Sequence, residues 1–179
     1  MPEESLVNDL SFKCRRSLIN DHNLKKIESI LSTETEITDE TVKVINRGVR
    51  GPYPNGSLYC GFNFDQEIIF WKSILSMFPK NGWLNLIYAE YLVQKDKGYE
   101  TAHEFYNRAF EIDYRLIFAI EPSWRDELIK TDFKYELYYL KTQKDDYDNE
   151  DFIEIADRLR TKYQDDKIKL VEIETIANM

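Results

Sequence analysis

Apolar residues recur every three or four positions over most of the chain, the spacing that places them on one face of an α-helix. Leu84, Ile87, Tyr88, Tyr91 and Leu92 give one such stripe. The pattern predicts helices over residues 5–31, 38–48, 65–78, 82–98, 99–120, 123–143 and 148–164. The first of these either runs unbroken or divides into two helices at the polar residues 20–23.

Two segments depart from this helical spacing. Residues 47–64 are rich in glycine, proline and aromatic residues, and "PNG" within them is a strong turn signal. Leu58, Cys60, Phe62 and Phe64 then alternate with other residues, which is typical of a short half-buried strand. We interpret 47–64 as an ordered connector that either includes a small hairpin or acts as a hinge. The tail at 167–177 has no clear period, and between helix and strand we favour helix.

The composition supports one helical domain over residues 1–179. Hydrophobic residues make up 42% of the chain, which is enough for a packed core. With 6 glycines and 5 prolines, long helices are favoured over many short strands. We expect N-terminal helices over 1–48, the connector over 49–64 and a helical body over 65–179.

A family resemblance lies between Trp83 and Asp113. The first helix, "WLNLIYAEYL", has a tryptophan followed by Tyr-Ala-x-aromatic, and the second, "AHEFYNRA", has Ala102, Phe105, Tyr106, Arg108 and Ala109 in that order. This stretch of about 30 residues resembles the half-a-TPR (HAT) and tetratricopeptide repeats. The resemblance implies an all-α fold in which antiparallel helix pairs stack in a right-handed array.

The alanines of the second helix have a physical role in such a pair. Small side chains at Ala102 and Ala109 let two helix backbones approach closely, while Phe105 and Tyr106 fill the grooves beside them. We therefore interpret these four residues as the seam against "YAEYL". On the same helix, Glu104 and Arg108 are spaced for an i,i+4 ion pair.

The charge balance narrows the class of partner. The chain has 33 acidic and 24 basic residues, a formal net charge of −9. Such a surface repels nucleic-acid phosphates and anionic membranes, and attracts a basic protein. Two cysteines make no disulfide framework, the acidic start "MPEESLVNDL" is unlike a signal peptide, and no apolar run is long enough to cross a bilayer. These features predict a cytoplasmic protein.

No residue pattern predicts catalysis, a cofactor or a metal. His22 and His103 are the two histidines, and neither has a nucleophile or orienting group placed beside it by sequence. Cys14 and His22 lie eight positions apart, roughly 12 Å along one helix, which is too far to share a zinc ion. The acidic run at 145–151 lacks the spaced ligands and central glycine of a calcium loop.

The function that these features predict is protein binding without catalysis. Tyrosines are common at interfaces, because they combine a large apolar ring with a polar end. The candidate partner-binding residues are Tyr91, Tyr99, His103, Glu104, Asn107, Tyr114 and Tyr138. An acidic inhibitor of a basic toxin, as in immunity proteins, is a narrower form of this hypothesis. The alternative is a small-ligand sensor or enzyme with a site at the 47–64 loop, where Arg47 and Arg50 offer cationic groups.

Overall fold

The structure is a computed structural model that describes residues 21–50, 64–96, 99–145 and 149–178. Every regular element within these ranges is helical, which confirms the predicted all-α class for them. The chain divides into two compact units, Met1–Ile112 and Asp113–Met179, which we call the N-terminal unit and the C-terminal unit. Their boundary lies inside the segment 65–179 that was predicted as one helical body.

Five α-helices form the described part of the N-terminal unit. They are α1 Asp21–Leu31, α2 Asp39–Arg50, α3 Phe64–Met77, α4 Gly82–Asp96 and α5 His103–Ile112. Helix α2 begins as predicted, because the hydroxyl of Thr38 accepts a hydrogen bond from the Thr41 amide at 3.2 Å. Its predicted end at Gly48 is wrong, since α2 continues to Arg50. Val49 is 1% exposed, and its burial offsets the roughly 1 kcal/mol that a glycine inside a helix costs.

The core of the N-terminal unit is built around a tryptophan. Trp71 of α3 is fully buried, and its ring centroid lies 5.1 Å from that of Phe70 and 6.3 Å from that of Tyr91. Helix α3 packs against α1 and α4, and α2 packs against α4. Trp83 packs against this core from its edge, with the Lys43 ammonium 4.6 Å from the ring centroid.

The pairing of α4 with α5 confirms the predicted seam. Ala102, Tyr106 and Ala109 are completely buried. Phe105 is partly buried, and its ring meets that of Tyr88 edge to face at 4.7 Å. Because alanine occupies so little space, the two helices pack closely along this face. The predicted contact of this helix with "YAEYL" is therefore present.

The described part of the C-terminal unit contains a 3₁₀ helix and four α-helices. They are the 3₁₀ helix Tyr114–Ala119, α6 Pro122–Thr131, α7 Phe133–Asp145, α8 Asn149–Lys162 and α9 Lys167–Asn178. Helix α7 is central, since the 3₁₀ helix, α6, α8 and α9 all contact it. Leu140 of α7, Leu159 of α8 and Ile173 of α9 are buried together. The ammonium of Lys144 donates hydrogen bonds to the carbonyls of Ile176 and Ala177 at 2.7 and 3.2 Å, which holds the end of α9 to α7.

Two long helices predicted from the sequence are each divided in the structure. The predicted helix 99–120 ends at Ile112, because Asp113 is extended (φ −148°, ψ 103°) and its carboxylate accepts the Arg115 amide at 3.1 Å. The predicted helix 123–143 breaks at Asp132 (φ −151°, ψ 134°), whose carboxylate accepts the Lys134 amide at 2.9 Å. Both predictions of an unbroken helix were therefore wrong. An aspartate whose carboxylate accepts the backbone amide two residues later competes with the hydrogen bonds of the helix.

The remaining predictions concern the ends of the chain and the connector. The tail forms α9, so the preference for helix over strand at 167–177 is confirmed. Phe64, predicted as the last residue of a strand, is instead the first residue of α3. Three other predictions lie outside the described residues: the rest of the strand, residues 5–20 of the first helix, and the end of the helix 82–98 at Gly98.

Candidate interaction surfaces

The structure removes one of the predicted partner-binding residues from the surface. Tyr91 is 2% exposed and packs in the core beside Trp71. Its position on α4 places it on the side that faces α3, a feature that the tyrosine content alone did not reveal. This side chain therefore presents no surface to a partner.

Four other candidates of the N-terminal unit lie at or just before α5. Tyr99 is half-buried, with its ring centroid 6.5 Å from that of Tyr106. His103 and Asn107 are half-buried one turn apart. Glu104 is exposed and forms the predicted ion pair with Arg108. The structure thus brings His103, Glu104 and Asn107 together at the start of this helix, with the Glu104 carboxylate engaged by its neighbour.

Tyr114 and Tyr138, the two candidates of the C-terminal unit, are both half-buried. The Tyr114 hydroxyl donates to the carboxylate of Asp145, and this bond, with partial burial and the nearby negative charge, raises the pKa of Tyr114. The Lys134 ammonium lies 5.8 Å from the centroid of the Tyr138 ring. Both rings are therefore covered in part by groups of their own unit.

A group that the sequence analysis missed lies where the 3₁₀ helix, α6 and α7 meet. The rings of Phe118 and Tyr139 stack with their centroids 5.3 Å apart and their planes 8° from parallel. The guanidinium carbon of Arg125 lies 4.7 Å from the Phe118 centroid and 5.6 Å from that of Tyr139. We call these three residues the arginine–aromatic cluster. An arginine carried by one element and two rings carried by two others leave no periodic signal in the sequence.

Helix α8 exposes several acids and one large aliphatic residue. Ile153 is 56% exposed, and Asp151, Glu154 and Asp157 of the same helix are also exposed. Asp157 pairs with Arg160 at 2.8 Å, whereas Asp151 and Glu154 make no ion pair with any described residue. We call these four residues the α8 acidic face. A helix that exposes both carboxylates and an isoleucine offers charged and apolar groups to a contact.

One buried carboxylate has a structural explanation. Glu136 of α7 is 7% exposed and accepts hydrogen bonds from the Lys162 ammonium at 2.8 Å and the Tyr163 hydroxyl at 2.6 Å. The hydrogen bond to Glu136 raises the pKa of Lys162. Burial, and then the separate hydrogen bond from its own hydroxyl to Glu136, raise the pKa of Tyr163. Both groups therefore remain protonated donors near neutral pH. Glu136 links α7 to the end of α8 and is unsuited to act as a general base, because both of its oxygens are engaged.

Metal and membrane chemistry find no support in the described parts of the chain. Among the described residues, no three histidine, cysteine, aspartate or glutamate side chains are placed to hold a metal ion. None of the helices in those ranges is both long and apolar enough to span a bilayer. Most of the 47–64 loop, the alternative site, lies outside the described residues, although Arg47 and Arg50 belong to the last turn of α2.

The fold defines an all-α protein of two compact helical units. Comparison with protein families, curated proteins and solved structures gives no match to this chain.

Protonation of Asp113 is expected to weaken the start of the C-terminal unit. Partial burial favours the neutral acid, but hydrogen bonds from the Arg115 side chain and backbone outweigh it, so the pKa of Asp113 is lowered. A lowered folded-state pKa stabilises the fold above the unfolded-state value, and this contribution is lost as the pH falls through the folded-state value. Asp113→Asn keeps the cap and removes the charge, so it should cost about 0.2–1 kcal/mol at pH 6 and nothing once Asp113 is protonated.

Urea unfolding of the wild type and of Asp113→Asn, followed by circular dichroism between pH 6 and pH 3, measures this difference. The free energies of unfolding of the wild type and of Asp113→Asn should become more similar as the pH falls toward 3. A constant difference across the range would show that the charge of Asp113 does not stabilise the cap.

Proposed function

We propose that this protein is a non-catalytic interaction module that binds a basic protein partner through acidic helical surface. The excess of acidic residues supports this proposal, because it is concentrated in one of the two units. The C-terminal unit, 113–179, holds 17 acidic and 11 basic residues, against 16 and 13 in the longer N-terminal unit. Most of the net charge of −9 therefore belongs to the smaller unit.

The observation that carries the proposal is the α8 acidic face. Asp151 and Glu154 are exposed carboxylates that no described cation neutralises. Ile153, 56% exposed, adds apolar area whose burial would stabilise a complex. The matching partner surface presents lysines or arginines around an apolar pocket, since such a surface neutralises the acids and covers the isoleucine.

An immunity-type inhibitor is the narrower form of this proposal. Acidic helical surface is suited to cover a basic functional surface, because opposite charges accelerate the encounter and favour the correct partner. This narrower role rests on the charge and the size of the chain, as does the expectation that nucleic acid and membranes are not its ligands. The low cysteine content favours the cytoplasm as the compartment.

The scaffold of this proposed module is a HAT-like helix pair. Helices α4 and α5 supply the aromatic and alanine residues of such a pair, and α3 packs against α4 on another side. We propose that α3, α4 and α5 stack as repeat helices do, each contacting its neighbour along the array.

Charge reversal on α8 tests the proposed function directly. The immobilised full chain is incubated with lysate of the source cell at about 50 mM and about 500 mM salt, and retained proteins are identified by mass spectrometry and then purified. We expect a basic protein that is retained at low salt and released at high salt. Its affinity for the pure chain should fall at least about tenfold in the double variant Asp151→Lys/Glu154→Lys, because two attractive charges become repulsive.

A control variant with the same change in net charge distinguishes a defined binding site from a general effect of acidity. Asp165→Lys/Glu172→Lys changes the net charge equally and alters exposed acids of the same unit that make no ion pair with described residues. This variant should retain most of the affinity. The proposal fails if the retained proteins are not basic, and α8 is not the site if both double variants lose affinity equally.

A further inference from the structure

The arginine–aromatic cluster has the construction of a ligand site. Its three residues come from three elements: Phe118 from the 3₁₀ helix, Arg125 from α6 and Tyr139 from α7. All three side chains are half-buried. The near-parallel rings provide a flat aromatic support, and the guanidinium lies over both of them. This packing fixes the orientation of an otherwise flexible side chain before any ligand arrives.

The guanidinium of Arg125 is not held by a carboxylate of the described residues. It makes no ion pair or hydrogen bond with a described residue, and its Nε atom is buried without an acceptor. Arg115 and Arg160 of the same unit, by contrast, bind carboxylates at 2.9 and 2.6 Å. A buried N–H group without an acceptor carries an energetic cost, which a bound acceptor would remove.

The neighbouring acid, Glu121, caps helix α6 with one of its carboxylate oxygens. One carboxylate oxygen of Glu121 accepts the Ser123 hydroxyl and the amides of Ser123 and Trp124, the latter two at 3.1 and 3.3 Å, and so caps α6. These bonds lower the pKa of Glu121, and the positive charge of Arg125 contributes to the shift. Glu121 is therefore near enough to Arg125 for the two charges to interact, while one of its oxygens caps α6.

We propose that the arginine–aromatic cluster binds a carboxylate group of a ligand. A guanidinium packed on a ring keeps its N–H donors at its own edge, where they match the two oxygens of a carboxylate. The ligand is either a peptide, through its C-terminus or an acidic side chain, or a small carboxylic acid.

This inference is independent of the proposed basic partner, because the cluster and the α8 acidic face are formed by different residues. Their tests can therefore fail separately. A carboxylate-binding arginine within an acidic unit would admit one negative group at a defined place, while the surrounding acids disfavour ligands with many negative charges.

The test uses the side-chain Nε–H signal of Arg125 in nuclear magnetic resonance spectra of the ¹⁵N-labelled full chain. Sodium acetate is titrated at constant ionic strength, with chloride as the replaced anion. Two acetylated tripeptides are titrated in parallel, Ala-Ala-Ala with a free C-terminus and Ala-Ala-Glu with an amidated C-terminus. We expect the Arg125 signal to shift saturably with at least one of the three, and the one that binds most tightly identifies the source of the carboxylate.

Two variants test whether the paired N–H donors of the Arg125 guanidinium are responsible for binding the carboxylate. Arg125→Lys keeps the charge and loses the paired donors, so the affinity read from backbone amides of α6 and α7 should fall at least about tenfold. Arg158→Lys, which changes an exposed arginine of α8, should leave it unchanged. Thermal unfolding of both variants checks that the fold is retained.

Three results would overturn the assignment. The first is a linear shift with all three carboxylates, which indicates bulk ionic effects only. The second is equal binding by wild type and Arg125→Lys. The third is saturable binding of inorganic phosphate where no carboxylate saturates, since the cluster would then be a site for a different anion.

Discussion

Replacing Trp71 by alanine is expected to lower the free energy of unfolding of the N-terminal unit by about 3–5 kcal/mol. The side chain is completely buried and contacts both Phe70 and Tyr91, so its removal loses apolar burial and leaves a cavity. Typical domains are stable by only about 5–15 kcal/mol, and this single change would remove a large part of that margin. Urea unfolding followed by circular dichroism measures the loss.

A neighbouring residue provides the control for this prediction. Ile69 lies on the same helix, two positions away, and is 66% exposed. Ile69→Ala should therefore change the free energy of unfolding by no more than about 0.5 kcal/mol. Similar losses in the two variants would mean that Trp71 does not organise the core as described.

The second large effect on stability is expected from enlarging Ala109, a buried alanine of the α4–α5 seam. Ala109→Leu adds three carbon atoms to a position that is completely buried between two closely packed helices. We expect the free energy of unfolding of the N-terminal unit to fall by about 1–3 kcal/mol, because the helices must separate or distort to admit the larger side chain. Thermal and urea unfolding of the variant provide the measurement.

The same substitution at an exposed alanine tests the reason for that loss. Ala119 of the 3₁₀ helix is exposed, so Ala119→Leu should leave the stability of its own unit within about 0.5 kcal/mol. If Ala109→Leu proves equally harmless, the seam is loose enough to accept a leucine and the close approach of α4 and α5 is not required.

The sequence predicted the start of α2 and the whole of α3 well, because an apolar stripe and an identifiable boundary residue mark them. Thr38 and Pro79 mark such limits, and α2 and α3 respect them. The role of Gly48 was misjudged, since a glycine weakens a helix only modestly and the burial of Val49 outweighs that cost. Local signals thus decide a boundary only where the core does not overrule them.

The two missed helix breaks share a local pattern that could have revealed them. Each is an aspartate followed by an aromatic and then a basic residue: Asp113-Tyr114-Arg115 and Asp132-Phe133-Lys134. In both, the carboxylate accepts the amide of the basic residue, and at Asp113 the guanidinium also binds the same carboxylate. The apolar spacing on either side continues nearly in phase, which is why periodicity alone predicted unbroken helices.

The candidate surfaces were less accessible to sequence reasoning than the helices. Counting tyrosines identified Tyr91, which the fold buries, and overlooked Arg125, whose stacking partners lie 7 and 14 positions away on other elements. Side-chain burial and pairing across elements depend on tertiary packing, which a one-dimensional pattern does not encode. The packing role of the alanines was predictable because it follows from their size alone.

The distribution of tryptophans between the two units gives the chain built-in optical reporters. Trp71 and Trp83 belong to the N-terminal unit, and Trp124 is the third tryptophan, in the C-terminal unit. With Trp124 replaced by phenylalanine, indole fluorescence arises only from the N-terminal unit. Circular dichroism of the same variant reports on the helices of both units. Comparing its denaturation by the two signals would therefore show whether the units lose their structure together or one after the other.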